Sequence, residues 1–523
     1  MTLSRIPCLA ALSAILAFSA TSSNIVHVDT GNIEGTHSAD SKIRIFEGIP
    51  FAAPPVGALR WKAPQPAASW SGIRKTVEFG SRCMQGRIYS DMVFRDNGPS
   101  EDCLYLNVWT PAPSDNAHLP VMVWIYGGGF AAGASSEPRQ DGEHLAEKGV
   151  VVVSFNYRLN IFGFFSNPEL AKESGHDSAG NYGLLDQVAA LEWVHRNIAA
   201  FGGDPANVTI FGESAGSLSV SALMASPLSK NLFRRAIGES GAFFGPTLPL
   251  KPLNESEEAD RKFAAAKLGT DSIEALRAKP ASEILEAALK ERPQVRFAPN
   301  VDGYFLPESV SAIFEAGKQA HVPLLAGWNH DEGSYHMIFG KEPVTVQNYE
   351  ARIRAMFGSN ADEILKLYPA RNGEEAKRSA QDLAGDRFIA FATWKWIQTQ
   401  CETGGSPVYR YQFEDAPPTL PDQGESRGAY HSSEIEFVFG NLASKKLPWK
   451  PADYKLSALM STYWTNFAKT GNPDNSGVLE WPRYDKKDNW QVMHLSTEPH
   501  AAPAAHRARY EFLEHLKSFE PTS

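Results

Sequence analysis

Cysteine is scarce in this chain: there are four among 523 residues, Cys8, Cys83, Cys103 and Cys401. No C-x-x-C or His/Cys pairing occurs, which argues against a zinc site. The charges form no block of one sign, and the formal net charge is -10. A nucleic-acid surface would need clustered lysine and arginine, so no nucleic-acid partner is expected. No internal repeat or low-complexity tract stands out. After the first residues, no run is long and apolar enough to cross a bilayer. What is present is a chain 43% apolar and 21% charged. That balance suits one large α/β domain or two or three average ones.

The N-terminus has a pattern of its own. Arg5 precedes an apolar run over residues 6–18, and small polar residues, SATSSN, follow it. A basic start, a short apolar core and a small-residue exit read as a secretory signal peptide over residues 1–23. Cleavage between Ser19 and Ser23 leaves residues 24–523 as the mature chain, secreted or periplasmic. A membrane anchor is the alternative, but the run is short for a bilayer, so no stable membrane insertion is expected. Cys8 lies within the leader. In an oxidising compartment Cys83 and Cys103 can close a short loop. Cys401 is then left over, and a buried free thiol is expected there.

Short β-branched runs alternate with helical patterns along the mature chain. VMVWIY (121–126) and VVVVSFN (150–156) read as buried parallel strands. GLLDQVAALEWVHRNIAAF (183–201) has apolar positions at helical spacing, and GGDP (202–205) stops it. NVTIF (207–211), RAIGES (235–240), VPLLAGW (322–328), VYRYQF (408–413) and WQVMHLS (490–496) read as further strands. This alternation predicts an α/β fold in one domain over residues 24–523. A large, mostly parallel central sheet would carry helices on both faces and long insertions.

Chemistry concentrates in TIFGESAGSLSV (209–220), where Ser214 stands between Gly212 and Gly216. The pentapeptide alone fits a capping serine as well as a nucleophile. The strand before it and the helix-compatible run after it supply the strand-turn-helix setting of a nucleophile elbow. Both glycines are needed because a side chain two residues from the serine would strike the tight turn. Upstream, WIYGGGF (124–130) puts three glycines straight after a strand. Two of their amides, with that of Ala215, can bind an oxyanion. Downstream, an acid and then a histidine are required. GWNHDEGSYH (327–336) and RGAYHSSEIEFVFG (427–440) offer them. The residues alone leave Asp331 and Glu332 open as the acid, and His431 and His494 open as the base. His330 and His336 suit no helix face as a metal pair and have no evident third ligand. No metal or cofactor is expected.

The longer motifs resemble the type-B carboxylesterase family of α/β-hydrolases, which includes carboxylesterases, cholinesterases and some lipases. They are FEGIPFAAPPVGALRWKAPQP (46–66), EDCLYLNVWTP (101–111), FGGDPANVTIFGESAG (201–216), NVDGYFLP (300–307), NFAKTGNP (466–473) and WPRYD (481–485). The resemblance spans nearly the whole mature chain. It implies a serine carboxylesterase that acts on small-molecule esters through an acyl-enzyme. The implied catalytic residues are Ser214, Glu332 and His431, with Gly128, Gly129 and Ala215 as the oxyanion hole. Ser240 is implied as a supporting residue, and Cys83 and Cys103 as the family disulfide. Activity is then expected to rise as His431 deprotonates, near its ordinary value of about 6.5.

Departures from the family narrow the substrate. The loop between Cys83 and Cys103 holds no tryptophan, whereas the longer cholinesterase loop uses one to hold a quaternary ammonium. Choline esters are therefore disfavoured, although Tyr89 or Phe94 offers a cation–π face. Pro293-Gln294-Val295 replaces the FRF-like stretch of cholinesterases and suggests a wider acyl pocket. Arg87, Arg95 and Arg296 read as solvated charges, with an acidic substrate as the alternative. A secreted lipase and a non-catalytic adhesion homologue are the competing functions. Oligomeric state is left open.

Overall fold

A strand covered on both faces reads as a near-continuous apolar run rather than an alternating one. The runs around 121–126 and 150–156 fit that pattern and lie at the centre of a sheet. The structure, a computed structural model, describes residues 24–291, 295–420, 424–475 and 477–516. The leader expected over residues 1–23 lies outside these, as do Pro293 and Gln294.

The central sheet has eleven strands. In chain order they are β1 (Thr36–His37), β2 (Arg44–Pro50), β3 (Tyr105–Thr110), β4 (Leu119–Ile125), β5 (Val151–Phe155), β6 (Gly203–Glu213), β7 (Arg235–Glu239), β8 (Leu324–Asn329), β9 (Val408–Phe413), β10 (Gln491–Leu495) and β11 (His500–Pro503). Their spatial order is β11-β10-β9-β8-β7-β6-β4-β5-β3-β2-β1. The run from β10 to β5 is parallel throughout. The remaining strands add antiparallel edges. Every residue of β5 and of β8 is buried, so helices and loops cover both faces.

The helices that bear on the site are α1 (Tyr182–Asn197), α2 (Ala215–Ala225), α3 (Gly373–Gly385), α4 (Phe391–Thr403), α5 (Pro451–Thr470) and α6 (Arg507–Glu514). The periodicity predicts one helix over 183–201. The structure instead ends α1 at Asn197, adds a 3-10 turn over Ile198–Phe201 and breaks at Gly202 with φ +79°. β6 begins at Gly203, before the expected 207, and its register with β4 shifts between Gly203 and Val208.

Helix α2 is buried at all eleven positions, as befits a helix packed between a sheet and other helices. Its serines survive burial because each hydroxyl is bonded. Ser217 donates to Gly241 O, Ser219 to Ala215 O and Ser221 to Leu218 O. A bulkier helix would not fit here, and the fit fixes the N-terminus of α2 against β6.

Candidate active site

The turn from β6 into α2 holds Ser214 at φ 56° and ψ -119°. That conformation is strained for any residue but glycine, and such strain concentrates at functional positions. The flanking glycines are compulsory. A Cβ at Gly216 would lie 1.9 Å from Ile125 O, and one at Gly212 would lie 2.6 Å from the same oxygen. β4 therefore packs directly on the elbow. The Ser214 N–H donates to Glu239 O of β7 at 2.8 Å, which continues the sheet ladder past the end of β6.

His431 joins the serine to a carboxylate. Its Nε2 lies 2.9 Å from Ser214 Oγ, and its Nδ1 lies 2.6 Å from Glu332 Oε2. Glu332 Oε1 accepts the Asn329 N–H at 2.8 Å and the Ser240 hydroxyl. The acid is thus fixed at both oxygens. A hydroxyl whose proton can pass to an oriented imidazole is the arrangement nucleophilic acyl transfer requires. Of the residues left open above, Glu332 is the one that reaches His431. Asp331 faces away from the ring, and His494 bonds Glu414 on the sheet edge at 2.7 Å.

The glycine strip runs beside the serine. A Cβ on Gly127 would come within 2.9 Å of Ser214 Cβ. Gly128 and Gly129 take φ values of +103° and +64°. A Cβ on Gly128 would lie 2.1 Å from Ala132 O. Among the described residues, the amides of Gly128, Gly129 and Ala215 donate to no protein acceptor. Ala215 is also the first residue of α2, where orphan N–H groups and the helix dipole favour negative charge.

Three further carboxylates crowd the site, and sequence reasoning missed them. Glu213 Oε1 lies 3.3 Å from His431 Nε2. Glu239 accepts the Trp464 indole N–H of α5 at 2.7 Å. Glu434 accepts the Asn329 side-chain amide. Burial pushes the Glu213 carboxyl up to about 7 and the Glu239 carboxyl up to about 8. Burial, with the charges of Glu213 and Glu239, pushes Glu434 up as well. Such a cluster cannot be fully ionised in a low-dielectric interior. Burial pulls His431 down, but Glu213 and then Glu332 more than offset this and raise it above its ordinary value. A signal for two of these residues was present in the sequence: Gly-Glu-Ser occurs at 212–214 and again at 238–240. The two tripeptides are in register, with Gly212 opposite Gly238 and Glu213 opposite Glu239. Both serines take φ 56°, and the Ser240 N–H donates to Gly327 O of β8 at 2.9 Å.

Phe388 is a second omission. Its ring meets the His431 ring edge-on at 5.0 Å between centroids. It sits on a π-helical turn, Asp386–Ala390, between α3 and α4, a rarity frequent at functional sites.

Cys83 and Cys103 are bridged by a disulfide. Cys401 is free and half-buried, its Sγ is 3.1 Å from Tyr484 O, and burial pushes its thiol up to about 12. The loop they close is stitched down. Arg82 pairs with Asp96 at 2.5 Å, Asp96 accepts the Ser136 hydroxyl at 2.5 Å, and Arg95 pairs with Asp141 at 2.7 Å. Arg95 is thus an exposed charge, as expected, but one paired to Asp141 rather than free for a substrate. The Arg82 guanidinium already covers the Phe94 ring at 4.7 Å, so that face is not open to a ligand cation. Tyr89 instead brings its hydroxyl to the glycine strip, 3.2 Å from where a Gly129 Cβ would sit. Arg87 and Arg296 are exposed. His330 bonds Arg378, and His336 contacts Gly340 O at 3.4 Å.

Residues 22–513 match the model of the carboxylesterase family. The chain is 39% identical over 486 residues to a fumonisin B1 esterase of Sphingopyxis macrogoltabida, covering 88% of this chain and 84% of the relative. It is 36% identical over 502 residues to carboxylesterase 1D of Rattus norvegicus, covering 87% and 86%. A solved PNB esterase aligns with a TM-score of 0.79 and 34% identity, over 94% of this chain and 99% of that one.

Proposed function

Since the chain belongs to the carboxylesterase family, it is a carboxylic ester hydrolase of the α/β-hydrolase fold, and we propose that Ser214, His431 and Glu332 are its nucleophile, base and acid. One observation supports this reading above the others. A single imidazole is hydrogen-bonded to the serine through one nitrogen and to a buried glutamate through the other.

The geometry supports the following reaction. His431 Nε2 accepts the Ser214 proton as Oγ attacks the ester carbonyl. Glu332 holds Nδ1–H and stabilises the imidazolium without taking its proton. The amides of Gly128, Gly129 and Ala215 receive the oxyanion, each contributing about 3 kcal/mol. His431 then protonates the departing alcohol, and water repeats the sequence on the acyl-enzyme. Ser240 supports the acid through its hydroxyl.

The substrate is a small-molecule ester. The stitched loop over Cys83–Cys103 supports an esterase over a lipase, because a lipase lid must open at an interface. The disulfide supports an exported protein. Among the described residues no helix is long and apolar enough to cross a membrane. The relative named for fumonisin B1 makes that ester a member of the substrate panel, beside p-nitrophenyl esters of rising acyl length.

A fluorophosphonate probe tests the assignment. The wild type should become labelled at Ser214 and lose esterase activity in parallel, and Ser214→Ala should stay unlabelled and be inactive from the outset. Equal labelling of the two proteins would overturn the assignment.

A further inference from the structure

Asp331 adjoins the proposed acid but never reaches the imidazole. Its contacts run in two other directions. Asp331 Oδ2 accepts the Ala429 N–H at 2.9 Å, and the Asp331 N–H donates to Ala429 O at 2.9 Å. Asp331 and Tyr430 form an isolated parallel bridge, one residue short of His431. Gly428, at φ +70°, must lack a side chain, because a Cβ there would lie 2.1 Å from Asp331 Oδ2. On its other oxygen, Asp331 accepts Arg378 Nη1 at 2.8 Å and Gln381 Nε2 at 2.9 Å. Both donors project from α3. That helix is itself tied down: Arg378 Nε pairs with Asp382 at 2.7 Å, and Asp382 pairs with Arg509 of α6 at 3.1 Å.

We propose that Asp331 is a positioning residue that clamps the His431 loop to the Glu332 loop and anchors both to α3. The inference rests on the Ser214–His431–Glu332 reading and adds how two of its members keep their register. The acid and base come from segments 99 residues apart in the chain. Asn329 ties the two segments on one side of the acid, its side-chain amide donating to Tyr430 O at 2.8 Å and to Glu434. Asp331 adds the tie on the other side, from the residue next to the acid, and it alone of the two carries the connection on to α3. Its side chain is 10% exposed, so its bonds to Ala429 and Gln381 form largely out of water, where they count for more. Burial pushes its carboxyl up, yet bonding from His330, the charge of Arg378 and the Ala429 N–H hold it below its usual value. It is therefore ionised at neutral pH.

Two substitutions grade the clamp. Asp331→Asn keeps an acceptor for the Ala429 N–H and loses the charge. Asp331→Ala loses both. On a p-nitrophenyl ester, kcat per fluorophosphonate-titrated site should fall about tenfold in the first and about a hundredfold in the second, the scale of a small misplacement of reacting groups. KM should stay within about threefold, because the clamp touches no substrate. The downfield proton resonance of His431 Nδ1–H should move upfield or broaden in both variants, which a purely structural role would not cause. If Asp331→Ala does not fold, Arg378→Gln at a half-exposed surface residue replaces it, with a loss of about threefold and the same spectral change. Wild-type kcat per titrated site in Asp331→Asn, or a loss of kcat with an unaltered resonance, overturns the clamp. A wild type that fails to label at Ser214 sinks the triad assignment instead.

Discussion

Glu213 stands one residue before Ser214 and 3.3 Å from His431 Nε2, the nitrogen proposed to take the serine proton. A neutral imidazole is the competent base, so activity rises with pH through the His431 pKa. The neighbouring carboxylates raise that pKa. The acid limb of kcat/KM should therefore lie above the ordinary histidine value of about 6.5, not at it as the sequence suggests. Glu213→Gln removes a charge that favours the imidazolium, so its limb should move to lower pH. The same change weakens the imidazolium formed in the transition state, and kcat at the optimum should fall roughly tenfold. A pH series of kcat/KM for both proteins decides this, and a limb that stays fixed or moves upward would count against the electrostatic account. No reading of one sequence reveals this residue's role, because the role depends on a ring delivered from 217 positions away.

At the scale of elements, the β6–α2 turn is built for contact with β4. Gly216→Ala places a methyl 1.9 Å from Ile125 O, a clash with backbone that cannot swing aside. β4 leads directly into the glycine strip, so displacement there should also spoil the proposed oxyanion amides. We predict a loss of at least about 1–3 kcal/mol, as for other overpacked sites, together with loss of activity. Gly373→Ala, whose Cβ would find only Val344 O at 3.5 Å, should melt close to wild type. Thermal melts and esterase rates of the two variants test the contrast. The central parallel strands were legible because full burial demands near-continuous apolar runs such as VVVSF. The antiparallel edges were not. Thr36–His37 is two residues long and partly exposed, and β11 reads HAAP, with little β-forming character. At the proposed site, local context alone singled out Ser214 as the candidate nucleophile. Glu332 over Asp331 was not, since adjacent carboxylates differ only in where the loop turns them. Family resemblance, not residue chemistry, made that choice.

For the whole molecule, the wall that the Cys83–Cys103 loop brings to the glycine strip is held at both ends. Its disulfide, the Arg82–Asp96–Ser136 chain and the Arg95–Asp141 pair tie it to the body at several points. Arg95–Asp141 is a partly exposed and individually weak pair, but with the buried Asp96 carboxylate and the disulfide it holds both ends of the loop. Rates on a long-chain p-nitrophenyl ester should then pass smoothly through the critical micelle concentration. A jump there would show that the wall opens at interfaces and would favour a lipase. The paired Gly-Glu-Ser endings bear on the same question from beneath. Ser214 and Ser240 occupy equivalent rungs on neighbouring strands, each bonded to the next strand over. The spacing between the proposed nucleophile and the hydroxyl bonded to the proposed acid thus follows the sheet's own repeat of about 4.8 Å. The catalytic gauge is cut into the scaffold, while the surfaces that choose an ester hang from loops outside it, free to be reshaped without losing calibration.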